Sequence, residues 1–335
     1  MATENFRGAY SSIREILQNA RSQAFYAVNS AMVKAYWEIG RVIVEEEQKG
    51  EGRADYGTRL IDALSRRLRL EFGSGFTDRN LRNMRQFYIT FPKWHAVRAE
   101  LTWTHYRLLL RQESEYARSF YLEECIKSRW STRELERQMN SLLYERLALS
   151  KDKKGVLELA KKGQIISKPA DLVKDPFVLE FVGLGEKERV DENELEDKLA
   201  ARLKDFLLEL GRGFSFVARQ KRITADEDHY HIDLVFYNYL LKCFVLIDLK
   251  AGKLTHQDIG QMDFYVRYYE KELRMPSDNP TIGLILCADK NKAMAKYTLL
   301  ADGKQIFASK YRLVLPKEKE LVEEMQRQRM LTSAE

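Results

Sequence analysis

The chain of 335 residues has only three cysteines, Cys125, Cys243 and Cys287, far apart and with no C-x-x-C pair. That argues against a disulfide framework or a zinc ribbon and fits a reducing cytoplasm. No apolar run approaches the roughly 18 residues that a membrane-spanning helix needs. The first residues, MATENFRGAYSS, hold no apolar signal-peptide core. Histidine is scarce too: His229, His231 and His256 cluster in one region, but no two have the spacing of zinc ligands. These absences lead to the expectation of a soluble cytoplasmic protein with no membrane partner. Proline is nearly missing from the first 150 residues, where Pro92 stands alone.

What is present is an ordinary globular mixture, 44% hydrophobic and 32% charged, long enough for two domains. The net charge of +6 is unevenly spread. Residues 53–98 carry ten Lys and Arg against four acids, and residues 151–169 carry six Lys against Asp152 and Glu158. From residue 170 onward the balance is slightly acidic. A basic front half suggests contact with a polyanion.

Residues 1–150 read as helical, with apolar side chains at three- and four-residue spacing, as in Met32, Tyr36, Ile39 and Ile43. Within them, FGSG joins two helical patterns, and Phe76–Thr77 looks like an apolar residue before an N-cap. The second pattern places Arg79, Asn80, Arg82, Asn83, Arg85 and Gln86 outward and Leu81, Met84 and Tyr88 inward. Arg, Asn and Gln read base edges in the major groove, and a helix-turn-helix presents them this way. In LTWTHYRLLLR the aromatics and His105 are better explained by packing than by chemistry, and Ser131 with Glu134 forms a capping box.

The lysine-, glycine- and proline-bearing stretch 151–176 reads as a basic connection between domains. Beyond it the pattern changes. A helix over ENELEDKLAARLKDFLLEL ends at Gly211, and strands follow over 214–223, 229–237 and 243–251. A helix over 255–273, a strand over 281–288, a helix over 291–301, a strand over 307–315 and a terminal helix complete the series. A three-strand meander with flanking helices predicts an α/β sheet covered on both faces.

Two acids interrupt these apolar strands, in the form D-x14-D-x-K from Asp233 through Asp248 to Lys250. Asp248 and Lys250 share a face, and Asp233 lies beside them if the register is right. Unpaired charges in such a sheet are costly. A divalent cation is the obvious compensation, since Mg²⁺ takes one or two carboxylates plus water and substrate phosphate. On the strand before, Gln220 is placed to meet phosphate or complete the site.

The D…DxK arrangement resembles the PD-(D/E)xK nuclease signature, although Ile232 stands where the motif's name has proline. Nearly the whole chain resembles the YhcG-like family of PD-(D/E)xK nuclease-domain proteins. YWEIGRVIVEEEQKG, EFGSGFTDRNLRNMRQFY and LTWTHYRLLLR carry the likeness in the front half; HIDLVFYN, DLKAGK and DNPTIGLILCADKN carry it in the back. The resemblance implies an all-helical, DNA-binding domain over 1–150 with a helix-turn-helix-like element. A restriction-endonuclease-like α/β domain follows over 177–335. It implies Asp233 and Asp248 as ligands of Mg²⁺ or Mn²⁺, Lys250 assisting the attacking water, and Glu196 orienting the metal, with Glu194 the second choice. Gln261, which shares a helix face with Tyr265, joins the site. The expected activity is endonucleolytic hydrolysis of DNA, with RNA not excluded, in DNA processing or defence against foreign DNA. A homodimer is compatible with it. The alternative is a non-catalytic DNA-binding or assembly subunit on a nuclease fold.

Overall fold

A computed structural model of the chain describes residues 2–49, 56–94, 97–98, 100–148, 153–185, 191–225, 227–289 and 305–316. They fall into two compact units, residues 1–136 and 137–335. Among the described residues no helix is long and apolar enough to cross a membrane.

The first unit is helical. It opens with the long α1 (Ala2–Lys49), followed by α2 (Tyr56–Phe72) and α3 (Asp78–Thr90). Then come α4 (Trp103–Leu109), α5 (Glu115–Ser128) and the start of α6 (Thr132–Asn140). Thr77 caps α3 by accepting from Asn80 N, as FGSGFT predicts. The core gathers Ile43, Ile61, Leu81 and Met84, with Tyr36, Ile39 and Trp103 packed against them. Gly40 lets α1 meet α3 backbone to backbone: a Cβ there would lie 2.0 Å from the Met84 carbonyl oxygen. His105 is structural. Its Nδ1 accepts from Thr102 N at 3.2 Å, its Nε2 faces Trp130 O at 3.0 Å, and burial lowers its pKa. The Ser131–Glu134 capping box is present.

The second unit holds α7 (Leu143–Ala148), α8 (Lys153–Lys162), α9 (Glu192–Ala201), α10 (Leu203–Leu210) and α11 (His256–Glu272) around a six-stranded sheet. Its strands are β1 (Phe177–Val178), β2 (Phe214–Ala225), β3 (Asp228–Asn238), β4 (Cys243–Lys253), β5 (Ile282–Asp289) and β6 (Ile306–Arg312). The order is β1-β6-β5-β4-β3-β2. β2, β3 and β4 form the antiparallel meander; β4, β5, β6 and β1 run parallel. α9 and α10 cover one face through Leu195, Leu199, Phe206 and Leu210. α11 covers the other through Ile259, Met262, Tyr265 and Val266. Gly283 on β5 sets how deep α11 sits, because a Cβ there would lie 2.6 Å from Met262 Cγ and Sδ.

Two expectations are corrected, and one element is added. The stretch 151–176 is not a bare connection: α8 forms within it, buries Leu159 and Ala160, and lies in the second unit. Lys154, Lys161 and Lys162 stand exposed on this amphipathic helix, a pattern that composition alone reads as a linker. The helix before the meander is two helices, because Arg202 (φ −113°, ψ 33°) leaves helical geometry. β1 is a parallel edge strand of two residues that the pattern does not signal. The helices expected over 291–301 and at the C-terminus lie outside the described residues.

Candidate active site

The site forms where the sheet divides. The β3–β4 ladder runs from Asn238↔Cys243 to Leu234↔Ile247 and stops; Asp233 and Asp248 are the next residue on each strand. β4 continues past them beside β5 through Lys250↔Cys287 and, after a bulge, to Lys253↔Asp289. The amide of Leu249, released from the β3 ladder, donates instead to Asp233 Oδ2 at 2.8 Å. Strand separation thus supplies both the opening and a backbone donor that fixes one carboxylate.

Asp248 is 1% exposed. Its Oδ2 lies 3.0 Å from Lys250 Nζ, and no other donor reaches that oxygen. Burial raises the pKa of Asp248 against the opposing pull of Lys250. Burial also raises Asp233, and the neighbouring Asp248 carboxylate adds to it, to about 7. Burial would lower Lys250, yet Asp248 beside it, reinforced by Glu192, holds its pKa above the ordinary lysine value. A carboxylate pair with raised pKa values is an electrostatic cost that this fold carries without an internal counter-charge sufficient to remove it.

Glu196 on α9 is buried and joins the group through β2. Its Oε1 accepts from Arg219 Nε at 2.6 Å, its Oε2 accepts from Gln220 Nε2, and the same Gln220 nitrogen donates to Asp233 Oδ1 at 3.1 Å. Gln220 does this from a left-handed backbone (φ 47°), rare for a residue with a side chain and here inside a strand. Glu194, the second choice on α9, pairs instead with Lys198 one turn on, at 3.4 Å. Gln261 does not reach the carboxylates. It donates to Tyr265 Oη, which donates to His231 O at 2.8 Å and so ties α11 to β3 just before Asp233. Sequence reasoning missed Glu192. Its Oε1 accepts from Ala251 N at 2.8 Å and its Oε2 lies 3.9 Å from Lys250 Nζ, beyond hydrogen-bond range but close enough to orient the ammonium. Only the acidic first turn of α9 hinted at it.

Among the described residues, no three His, Cys, Asp or Glu side chains converge as a preformed metal cage. What the site offers is the Asp233–Asp248 pair, with a buried carboxylate oxygen met only by the Lys250 ammonium. That donor set suits a hard cation completed by water and phosphate oxygens.

The face of α3 is more mixed than the sequence suggests. Arg79 is exposed, and Arg82 and Gln86 are exposed with local partners in Asp78 and Thr90. Asn83 is half-buried. Asn80 is taken up within the unit, donating to Gly75 O at 2.6 Å and accepting from Trp103 Nε1 at 3.1 Å. Arg85 pairs with Glu47 of α1 at 2.5 Å. The buried row is Leu81, Met84 and Phe87, with Tyr88 only half-buried.

A mixed sheet that splits beside two aspartates, with a lysine two residues beyond the second, defines a nuclease domain of the PD-(D/E)xK class. Residues 170–327 match the YhcG PDDEXK nuclease domain, and residues 12–146 match the DUF1016 N-terminal domain. The chain is 37% identical over 357 aligned positions to "Putative nuclease YhcG" of Escherichia coli (strain K12), across 97% of this chain and 95% of that one. It belongs to the YhcG family. Among solved structures it is similar to a repair endonuclease from Pyrococcus abyssi, at 19% identity and a TM-score of 0.27, over 40% of this chain and 51% of that one. It is similar also to the protein of an EndoMS–dsDNA2 complex, at 17% identity and a TM-score of 0.28, over 40% and 49%.

Proposed function

We propose that this member of the family is a divalent-metal-dependent endonuclease that hydrolyses phosphodiester bonds in DNA, in the cytoplasm, with Asp233 and Asp248 as the metal ligands. One observation carries the reading: a buried aspartate, Asp248, whose inner oxygen is met by the Lys250 ammonium alone, stands beside a second aspartate whose pKa is pushed up to about 7. Lys250 alone leaves both carboxyl pKa values raised, so the pair is electrostatically incomplete in the way a cation completes. When bound, Mg²⁺ or Mn²⁺ supplies charge neutralisation at the phosphate and activates water as a nucleophile.

The chain's own residues do the rest. Leu249 N and Gln220 hold Asp233 from two sides. Lys250, steered by Asp248 and Glu192, presents a protonated ammonium that orients the attacking water and stabilises charge on the phosphoryl oxygens. Glu196 holds Gln220 in place, and Gln261 acts through Tyr265 on the backbone of β3. The helix-turn-helix-like α2–α3 element brings DNA through Arg79, Arg82, Asn83 and Gln86, in a role in DNA processing or defence.

One observation favours a second reading. The Gln220 amide bridges Glu196 and Asp233 as a neutral donor, which is how a binding subunit that has given up catalysis would quiet the same carboxylates. A single panel separates the two. Purified protein is incubated with duplex, branched and single-stranded DNA and with RNA, in Mg²⁺ or Mn²⁺, with and without EDTA. The enzyme reading expects cleavage of DNA that EDTA stops and Asp248→Asn abolishes. Binding without cleavage on every substrate selects the second reading.

A further inference from the structure

Residues 6–32 of α1 present apolar side chains that nothing in the unit covers. Nine large apolar side chains between Phe6 and Met32 stand 40–71% exposed, whereas from Val33 onward the same helix buries Val33, Trp37 and Ile43. These side chains are spread round the helix, but Phe6, Tyr10, Ile13 and Leu17 fall on one face, and contiguous exposed apolar faces mark interaction sites.

The spacing identifies the kind of partner. Phe6, Tyr10, Ile13, Leu17, Ala20, Ala24, Ala27 and Ala31 follow one another at alternating intervals of four and three residues. That is an unbroken seven-residue repeat, the seam of a two-helix coiled coil. All eight positions are exposed. The seam is graded: its first four members are large and its last four are alanine. Laid parallel on a copy of itself, it would set large against large and leave alanine facing alanine. Laid antiparallel, it sets Phe6 opposite Ala31, Tyr10 opposite Ala27, Ile13 opposite Ala24 and Leu17 opposite Ala20. Every layer then joins one large and one small side chain, and the pairing closes on a two-fold axis.

We propose that residues 6–31 of α1 pair antiparallel with the same segment of a second copy of this chain, making the protein a two-fold dimer. The flanking charges agree with a contact tuned below its maximum. Arg14 faces Arg21 of the second copy at the exposed rim, so added salt, which screens that pair, tightens the dimer.

The test uses the full chain. Sedimentation equilibrium is expected to give twice the mass of one chain, with the dimer strengthened by salt. Leu17→Asp changes an exposed side chain, so the packed parts of the chain should melt as before, while self-association weakens by roughly 100-fold, the loss expected at a central interface residue. Cross-linking fixes the direction, since the three native cysteines are buried. Ile13→Cys and Ala24→Cys are expected to form a disulfide only when the two variants are mixed. Self-linking of either variant alone signals parallel pairing and overturns the proposal. A monomer at all concentrations overturns it, as does a monomer that sediments with phosphatidylglycerol vesicles, which would give the face to a membrane surface.

Discussion

The second unit holds two carboxylate groups with buried members, Glu209 in one and Asp248 in the other, and they could hardly be finished more differently. Glu209, at the end of α10, is fully buried. Its Oε1 accepts from Arg146 Nη1 at 2.6 Å and from Val178 N at 3.0 Å, and Arg137 Nη1 reaches its Oε2 at 3.3 Å. Burial would raise its pKa, but Arg146, Lys174 and Arg137 together outweigh that and hold it down to about 2. Asp233 and Asp248 have one lysine between them, and their pKa values rise. The difference teaches what burial of charge is for. Where cations and donors saturate the carboxylate, it ties α7, α10 and β1 together. Where saturation is withheld, the fold keeps a standing demand for positive charge.

The contrast can be broken most heavily at Glu209. Glu209→Ala strands Arg146, whose side chain is wholly buried, and is expected to cost about 3–5 kcal/mol in chemical denaturation. Asp248→Asn in metal-free protein is expected to leave stability unchanged or raised, because it removes a charge that burial disfavours. If both variants lose equally, the two clusters are of one kind. Next in size is Lys250→Ala, expected to slow single-turnover cleavage on the order of 100-fold while metal and DNA affinity persist. A collapse of stability with no change in rate would return Lys250 to a structural pair.

Acid sharpens the same contrast. A carboxylate whose folded pKa is depressed contributes stability above its ordinary value and loses it as pH falls towards the folded value. Glu209 therefore contributes roughly 3 kcal/mol that disappears between the ordinary value of 4.5 and about 2. Denaturation midpoints across that window should fall more steeply for the parent than for Glu209→Gln. The smallest effect belongs to the first unit. Arg82→Ala, losing one exposed arginine, should flatten the salt dependence of DNA binding by about one unit of slope. Arg85→Ala should instead show chiefly in stability, since its guanidinium is engaged by Glu47.

The sequence discloses the carboxylate pair because two consecutive strands with a short turn admit little freedom of register, and two acids in apolar strands stand out. It discloses the alternation of strands and helices after residue 191 for the same local reason. What it hides depends on distance or on backbone choice. Glu192 comes to Lys250 only through the angle at which α9 crosses β4. Gln220 meets both Glu196 and Asp233 because its backbone turns left-handed, which nothing in VARQKR announces. No glycine or proline marks the break at Arg202. Asn80 and Arg85 look like groove readers from their spacing, and only Trp103 and Glu47, 23 and 38 residues away in sequence, reveal that they are engaged elsewhere.

α1 has neither glycine nor proline between residues 9 and 39, so its exposed and packed parts share one helical phase. One alanine inserted just after Met32 would turn the outer part by about 100° against the packed part. In an antiparallel pair the two turns add, and the bodies at the two ends would rotate by about 200° relative to each other while the seam itself stayed intact. Seven inserted residues would bring them back to within about 20° per chain. Solution scattering of the one-residue and seven-residue insertions, at unchanged mass, would read the rod as a clock hand whose setting the wild-type length fixes.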